Sequence, residues 1–288
     1  MKLYVSNYLS NSISIIDCDT LTLEREIYLG DDICTHHFCI EKDKDIIYLP
    51  SASDGVLYVL DIKTEKILDS ISIGGNLSQI YICNDELFIV NEDSNSIYIV
   101  NKNELEPIGI ISLDNIPHGF DLDVKNNKLY VPCLNSIVCI DIESKNIDKK
   151  IFTKLKAWHI RVDKQKEYIY TSTLDGKLLV LDKNTLNIKH SIEKFLMPIE
   201  TCINYNKNII YVADLGERNI KILDYNNYEM IGYIDIDGTP QGLEISNDGK
   251  YLFVTDTFNN SVKIYNTDDN ELIKAIKVGK EPTTIIFV

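Results

Sequence analysis

Short apolar runs of about five residues follow one another along the whole chain, and polar turn residues end each run. Ile, Val, Leu and Tyr dominate these runs, and such residues favour the pleated, half-buried surface of a β-sheet. Apolar residues at spacings of three and four, which would indicate a helix, are not sustained over any long segment. The pattern therefore predicts an all-β protein built from many short strands.

An aromatic residue marks the second strand of a unit that repeats every 40 to 44 residues. These aromatic anchors are Tyr4, Tyr48, Phe88, Tyr130, Tyr170, Tyr211 and Phe253. Each anchor is followed by an acid or amide that closes the next strand, namely Asp17, Asp61, Asn101, Asp141, Asp182, Asp224 and Asn266. A side-chain oxygen at such a place accepts a hydrogen bond from the backbone two residues on and opens a turn. In the sixth unit we predict strands at 200–204, 209–213, 219–223 and 230–236.

Seven repeats of four short strands are typical of a seven-bladed β-propeller with four-stranded antiparallel blades. A single blade of this composition is apolar on both faces, and a ring of blades buries both faces of each. The chain begins at a second strand, near residues 3–6, and ends at a first strand, near 283–288. We therefore expect the C-terminal strand to pair with the N-terminal blade and close the ring. No linker interrupts the count, so residues 1–288 are predicted to form one domain.

Several motifs resemble the Tyr-Val-Thr-Asn (YVTN) type of propeller repeat. They include Ile210-Tyr211-Val212-Ala213-Asp214, Tyr251-Leu252-Phe253-Val254-Thr255-Asp256 and Gly238-Thr239-Pro240-Gln241-Gly242. The resemblance covers essentially the whole chain and implies the propeller fold. It implies no single function, because such repeats occur in surface proteins, in propellers of unassigned role, and near lactonase-like and streptogramin-lyase-like propellers.

The charge balance narrows the classes of partner. Forty-four acidic residues against 29 basic ones give a formal net charge of −15. A strongly acidic surface repels phosphate backbones and anionic lipids, so we expect no nucleic-acid or membrane partner. The chain starts with a strand rather than a basic and apolar leader, which predicts a cytoplasmic location. We also expect a monomer. Its seven cysteines are expected to be small buried hydrophobes rather than a disulfide framework.

Four of the five histidines and the only tryptophan fall at the starts of predicted inner strands. These residues are His36, His37, His118, Trp158 and His159. In a propeller the starts of the inner strands reach one face beside the central channel, so we predict a histidine-lined funnel there. Neutral imidazoles suit divalent transition metals, and His37, His118 and His159 are the candidate ligands. A polar channel rim that binds only water is the competing interpretation.

Further residues at this face are candidates for chemistry. Glu200 and Asp214 are candidate acid/base groups, and the candidate ligand-binding residues are His36, Gln79, Trp158, Arg161, Gln241 and Asp256. Turn capping is the alternative role for the two aspartates, and a structural ion pair with Glu200 or Asp121 is the alternative for Arg161. His36 and His118 stand one residue earlier in register than His37 and His159. Because neighbouring strand residues point to opposite faces, the four imidazoles are not all expected to meet.

Three functions remain open from the sequence. The first is a binding protein whose funnel holds a small molecule or metal, or whose rim docks a partner protein. The second is a metal-dependent lyase or hydrolase with the metal in that funnel. The third is an interaction scaffold without a ligand. Convergence of the histidine-bearing strand starts on one space would favour the first two.

Overall fold

The computed structural model describes residues 1–288 and confirms a seven-bladed β-propeller of four-stranded antiparallel sheets. In chain order the strands are β1 (Lys2–Asn7), β2 (Ser12–Asp17), β3 (Thr22–Tyr28), β4 (Cys39–Glu41), β5 (Ile46–Pro50), β6 (Val56–Asp61), β7 (Lys66–Ser72), β8 (Leu77–Cys83), β9 (Glu86–Asn91), β10 (Ser96–Asn101), β11 (Glu106–Ser112), β12 (Asp121–Asp123), β13 (Lys128–Cys133), β14 (Ser136–Asp141), β15 (Asn146–Phe152), β16 (Ala157–Val162), β17 (Tyr168–Thr173), β18 (Lys177–Asp182), β19 (Ile188–Ile192), β20 (Pro198–Asn204), β21 (Ile209–Asp214), β22 (Asn219–Asp224), β23 (Met230–Asp235), β24 (Pro240–Ile245), β25 (Tyr251–Asp256), β26 (Ser261–Asn266), β27 (Leu272–Lys277) and β28 (Pro282–Phe287). The helical content consists of three short 3₁₀ turns, Tyr8–Ser10, Lys42–Lys44 and Val124–Asn126. No helix has the length and apolar character needed to cross a membrane.

Blade 1 contains both ends of the chain, and its strand order is β28-β1-β2-β3. β28 pairs antiparallel with β1, with Leu3 opposite Phe287 and Val5 opposite Ile285. Backbone hydrogen bonds of 3.0 and 2.8 Å join Lys2 to Val288 in both directions. The predicted ring closure is therefore present. Blades 2 to 7 follow in chain order, each with four consecutive strands from β4 to β27.

The acids that close the third strand of a blade form the turns expected from the sequence. Asp17, Asp61 and Asp182 accept hydrogen bonds from backbone N–H groups three residues on, at 2.8, 2.6 and 2.9 Å. The residue after each of these turns has a positive φ, as at Leu186 (59°). The strand is thereby reversed within four residues, which keeps the blades short and regular.

The apolar core lies between the blades. One buried cluster joins Tyr4 and Ile13 of blade 1 to Ile47 and Leu49 of blade 2, and each further cluster joins two neighbouring blades in the same way. Outer strands such as β7 are mostly exposed. The inner strands consequently have one side packed against other blades and one side turned to the central channel.

Candidate functional site

The inner strands surround a cavity of about 600 Å³ at the channel. Nine of the eleven residues predicted for the site line this cavity. Its polar wall contains His36, His37, Gln79, Glu92, His118, Asp121, Trp158, His159, Arg161, Glu200, Gln241, Glu244 and Thr284. Apolar side chains complete the wall, among them Ile40, Ile82 and Ile286. The two residues that the structure does not bring into the cavity are Asp214 and Asp256.

Irregular backbone at the starts of the inner strands explains how residues in different registers meet. A β-bulge shifts the pairing between Ala157 and Ile160, and the same shift occurs between Pro198 and Thr201. A bulge places two residues opposite one, so it changes which side chains face the channel. β4 and β12 begin only at Cys39 and Asp121, and the histidines of these blades therefore lie in irregular segments ahead of the strands. Strict alternation of side chains does not apply to either arrangement.

Three of the predicted imidazoles form a contiguous group. His118 stacks on Trp158 with ring centroids 3.6 Å apart, and it meets His159 edge-on at 5.1 Å. His37 lies 6.1 Å from His159. His36 lines the same cavity but stacks on Tyr8 at 3.8 Å. These aromatic and imidazole rings of the wall are therefore neighbours that meet at different angles rather than isolated side chains.

One nitrogen of each imidazole in the group faces a polar side chain of the wall. His118 Nδ1 is 3.0 Å from Glu92 Oε1, and His37 Nδ1 is 2.8 Å from Thr284 Oγ1. His159 Nδ1 is 3.7 Å from a carboxylate oxygen of Glu200, which is too long for a hydrogen bond. Their Nε2 atoms have no hydrogen-bond partner within the protein. Anchoring one ring nitrogen fixes the orientation of the ring and leaves the other available to a ligand.

Three of the imidazoles, those of His36, His37 and His159, are kept neutral by their surroundings. Burial lowers the pKa of His36 to about 4. Burial also lowers the pKa of His159 to about 4, although the carboxylate of Glu200 opposes the shift. The pKa of His37 lies well below its ordinary value for the same reason. At neutral pH these three rings can accept or donate a hydrogen bond but add no positive charge to the cavity.

Arg161 is the only lysine or arginine in the cavity wall, and carboxylates surround it. It donates to Glu200 Oε1 at 2.8 Å and to the carbonyl of Thr201 at 2.9 Å. Burial opposes its charge, but Glu200, Asp121 and Glu244 together raise the pKa of Arg161. Burial raises the pKa of Asp121 and of Glu244, and Arg161 counteracts both shifts. Arg161 thus serves as an internal counter-ion, the structural role left open by its sequence position.

Asp214 and Asp256 require a correction, because both hold backbone rather than line the cavity. Asp214 is fully buried and accepts from the N–H groups of Leu196 and Met197, each at 2.9 Å. Asp256 accepts from Thr239 N at 2.9 Å and pairs with Lys263 Nζ at 2.8 Å. These bonds hold the segments that lead into the inner strands of the same blades, β20 and β24. Asp214 accepts three backbone hydrogen bonds, and the oxygens of Asp256 make four polar contacts, so both carboxylates are used mainly by the protein itself.

Sequence reasoning missed two glutamates of the wall. Glu92 lies one residue past the end of β9, whereas the predicted candidates Asp214 and Asp256 are the last residues of their strands, β21 and β25. Glu244 is the fifth residue of β24, as Arg161 is the fifth residue of β16. It therefore lies two residues beyond the position that corresponds to His159. Examining that next position in every blade would have found Glu244 from the repeat alone.

The predicted metal centre is not assembled. No group of three or more His, Cys, Asp or Glu side chains in the protein is arranged to hold a metal ion. The chemistry of the wall fits such an ion in type, since neutral imidazoles and carboxylates are both metal ligands. Coordination by His37, His118 and His159 stays a prediction that would need these rings to turn.

Comparison with known proteins adds the fold and nothing finer. No family model matches the chain, and no curated protein matches it. Among solved structures, a protein from Lactobacillus plantarum is 11% identical, with each chain covered over 100% of its length and a TM-score of 0.86. A proposed 6-phosphogluconolactonase from Bacteroides uniformis is 14% identical over 100% of this chain and 99% of that one, with a TM-score of 0.82. Kuenenia stuttgartiensis hydrazine synthase is 15% identical over 92% of both chains, also with a TM-score of 0.82. At such identities the likeness is one of fold.

Proposed function

We propose that this protein binds a small molecule in the central cavity. The supporting observation is the aromatic and imidazole wall of a cavity of about 600 Å³. Ligand pockets commonly measure about 300–1,000 Å³ and combine apolar walls with a few polar groups that orient the ligand. Here the apolar part comes from Ile40, Ile82 and Ile286, and the orienting groups are the unpaired imidazole nitrogens and the amides of Gln79 and Gln241.

The proposal is tested by filling the cavity without removing an existing bond. The side chain of Gln241 lines the cavity and makes no hydrogen bond within the protein, so Gln241→Phe adds bulk there. Lys274→Phe on the exposed face of β27 is the matched control. Small molecules are screened by thermal shift, and hits are titrated against the emission of Trp158, the only tryptophan of the chain.

We expect hits that change Trp158 emission and lose affinity in Gln241→Phe but not in Lys274→Phe. Hits that bind both variants as tightly as the wild type would place the ligand elsewhere and contradict the proposal. A screen without hits would favour the scaffold role, in which the rim of the propeller docks a partner protein.

A metal-dependent lyase or hydrolase is the second candidate. It is favoured by the way Glu92 and Thr284 anchor Nδ1 of His118 and His37, because metal-bound histidines are usually held through their other nitrogen. The three imidazoles would hold the metal, and Glu200 would act as acid or base. Elemental analysis of the purified protein and of His118→Ala and His159→Ala tests this. Stoichiometric metal lost in both variants is expected if the candidate is right, and a metal-free wild type would reject it.

Membership of the YVTN-type propellers is part of the same proposal. Its support is the set of repeat motifs in the sequence together with the seven-bladed architecture. A family alignment in which the strand-start histidines recur would test it, and their random distribution would count against a shared site.

A further inference from the structure

The charges of the cavity wall do not balance. Four carboxylates, from Glu92, Asp121, Glu200 and Glu244, line the cavity, and Arg161 is the single cationic side chain among them. Glu92 faces His118 Nδ1 at 3.0 Å, so Asp121, Glu200 and Glu244 share Arg161 as the only lysine or arginine in the wall. An enclosed excess of negative charge is costly unless a proton, a cation or hydrogen-bond donors compensate it. The wall is therefore better matched to a positive guest than to a neutral or negative one.

The carboxylate oxygens differ in how far the protein satisfies them. Asp121 accepts from Val162 N at 2.7 Å and from Leu122 N at 2.8 Å. Glu200 Oε1 accepts from Arg161 and Thr201 N, whereas its other oxygen has only His159 Nδ1 nearby, at 3.7 Å. Glu244 accepts one long hydrogen bond, 3.3 Å, from the N–H of the residue that follows it. Glu200 and Glu244 thus retain acceptor capacity inside the cavity.

Carboxylates alone would not define a site, but these line a cavity whose wall includes aromatic side chains. Trp158 and Tyr81 line the same space, and an aromatic face attracts a cation as well as an apolar body. The net charge of −15 on the whole chain also raises the local concentration of cations at the funnel. The cavity, its negative charge and its aromatic side chains therefore all favour a positively charged ligand with an apolar body.

We propose that the ligand is an organic cation, an ammonium group attached to an aromatic or aliphatic body, with its ammonium directed to Glu200 and Glu244. The inference rests on the proposed function and refines it. The ammonium would donate to carboxylate oxygens that the protein leaves unpaired, and the body would lie along the Trp158–His118 stack.

Three probes of similar size and different charge test the assignment: phenethylamine, 2-phenylethanol and phenylacetate. Each is titrated against Trp158 emission at neutral pH. Phenethylamine is expected to bind at least about ten-fold more tightly than either other probe, because a charge-assisted hydrogen bond forms only with the amine. Glu244→Gln should weaken phenethylamine by about ten-fold and leave 2-phenylethanol unchanged. Glu106→Gln, at an exposed glutamate without side-chain partners, is the matched control and should change neither.

The outcomes separate this inference from the proposed function. Equal binding of the three probes, or a preference for phenylacetate, would overturn the organic cation and leave a ligand-binding cavity in place. A saturable response to zinc or calcium chloride without one to phenethylamine would assign the negative charge to an inorganic cation instead. No saturable response to any probe would also overturn the inference, while the library screen with Gln241→Phe still decides the proposed function.

Discussion

Removing the guanidinium of Arg161 tests the electrostatics of the cavity most sharply. Arg161→Gln deletes the 2.8 Å bond to Glu200 and the 2.9 Å bond to the carbonyl of Thr201. It also leaves Asp121, Glu200 and Glu244 without their shared counter-ion. Breaking a buried ion pair by removing one partner costs about 3–5 kcal/mol. Because 33% of the Arg161 side chain is exposed to the cavity, water screens part of this loss, and we expect about 2–3 kcal/mol.

The assay is urea unfolding followed by far-UV circular dichroism and by Trp158 emission, with coincident transitions as the test of two-state behaviour. Arg218→Gln is the matched control, because Arg218 is exposed and forms no ion pair or side-chain hydrogen bond. Its stability should stay within about 0.5 kcal/mol of the wild type.

The loss caused by Arg161→Gln should shrink as the pH falls. Without the arginine, the strongest influence that opposes burial is lost, and the pKa values of Asp121 and Glu244 rise further above those of the unfolded chain. The folded variant therefore binds protons that the unfolded chain does not, and acid stabilises it relative to the wild type. A loss as small as that of Arg218→Gln, or one that does not change with pH, would refute the counter-ion role.

Three other predictions concern the fold and the imidazoles. Acid should destabilise the wild type between pH 6.5 and pH 4, because His36 and His159 take up protons in the unfolded chain but not in the folded one. His159→Gln should recover up to about 3 kcal/mol of this loss near pH 4. Parallel curves of stability against pH for the variant and the wild type would contradict the prediction. Asp256→Asn removes the buried ion pair with Lys263 and should lower the free energy of unfolding in urea by about 3 kcal/mol. Asp268→Asn, at the exposed partner of Lys207, should lower it by less than about 1 kcal/mol. Equal losses would argue against a structural role for Asp256. Deleting residues 282–288 removes β28 and opens an edge on β1, so light scattering should detect self-association, and a monomer of unchanged melting temperature would contradict the closure.

The architecture was predictable because each blade repeats the same sequence features, an aromatic anchor and an acid or amide at the turn. Aromatic anchors such as Tyr211 and Phe253 are fully buried between blades, and the turn acids such as Asp182 bond the backbone as their spacing indicates. The chain begins at a second strand and ends at a first strand, and this likewise predicted that the two ends complete blade 1. These features depend on local sequence and on the period of the repeat, both of which can be read without coordinates.

The detail of the site depended on features that a single sequence hides. A bulge between Ala157 and Ile160 is not marked by any particular residue, so the meeting of His118 and His159 could not be derived from alternation. Asp214 was also a candidate acid, but its carboxylate accepts hydrogen bonds from three backbone N–H groups. The position of Glu92 opposite His118 depends on how a loop folds against the next blade.

A crystal structure with the tightest ligand from the screen tests the central claim most directly. The account predicts density inside the cavity, in contact with Trp158 and within hydrogen-bond distance of an imidazole Nε2 and a carboxylate of the wall. Density on the rim or between outer strands, with only ordered water beside Trp158, would contradict it.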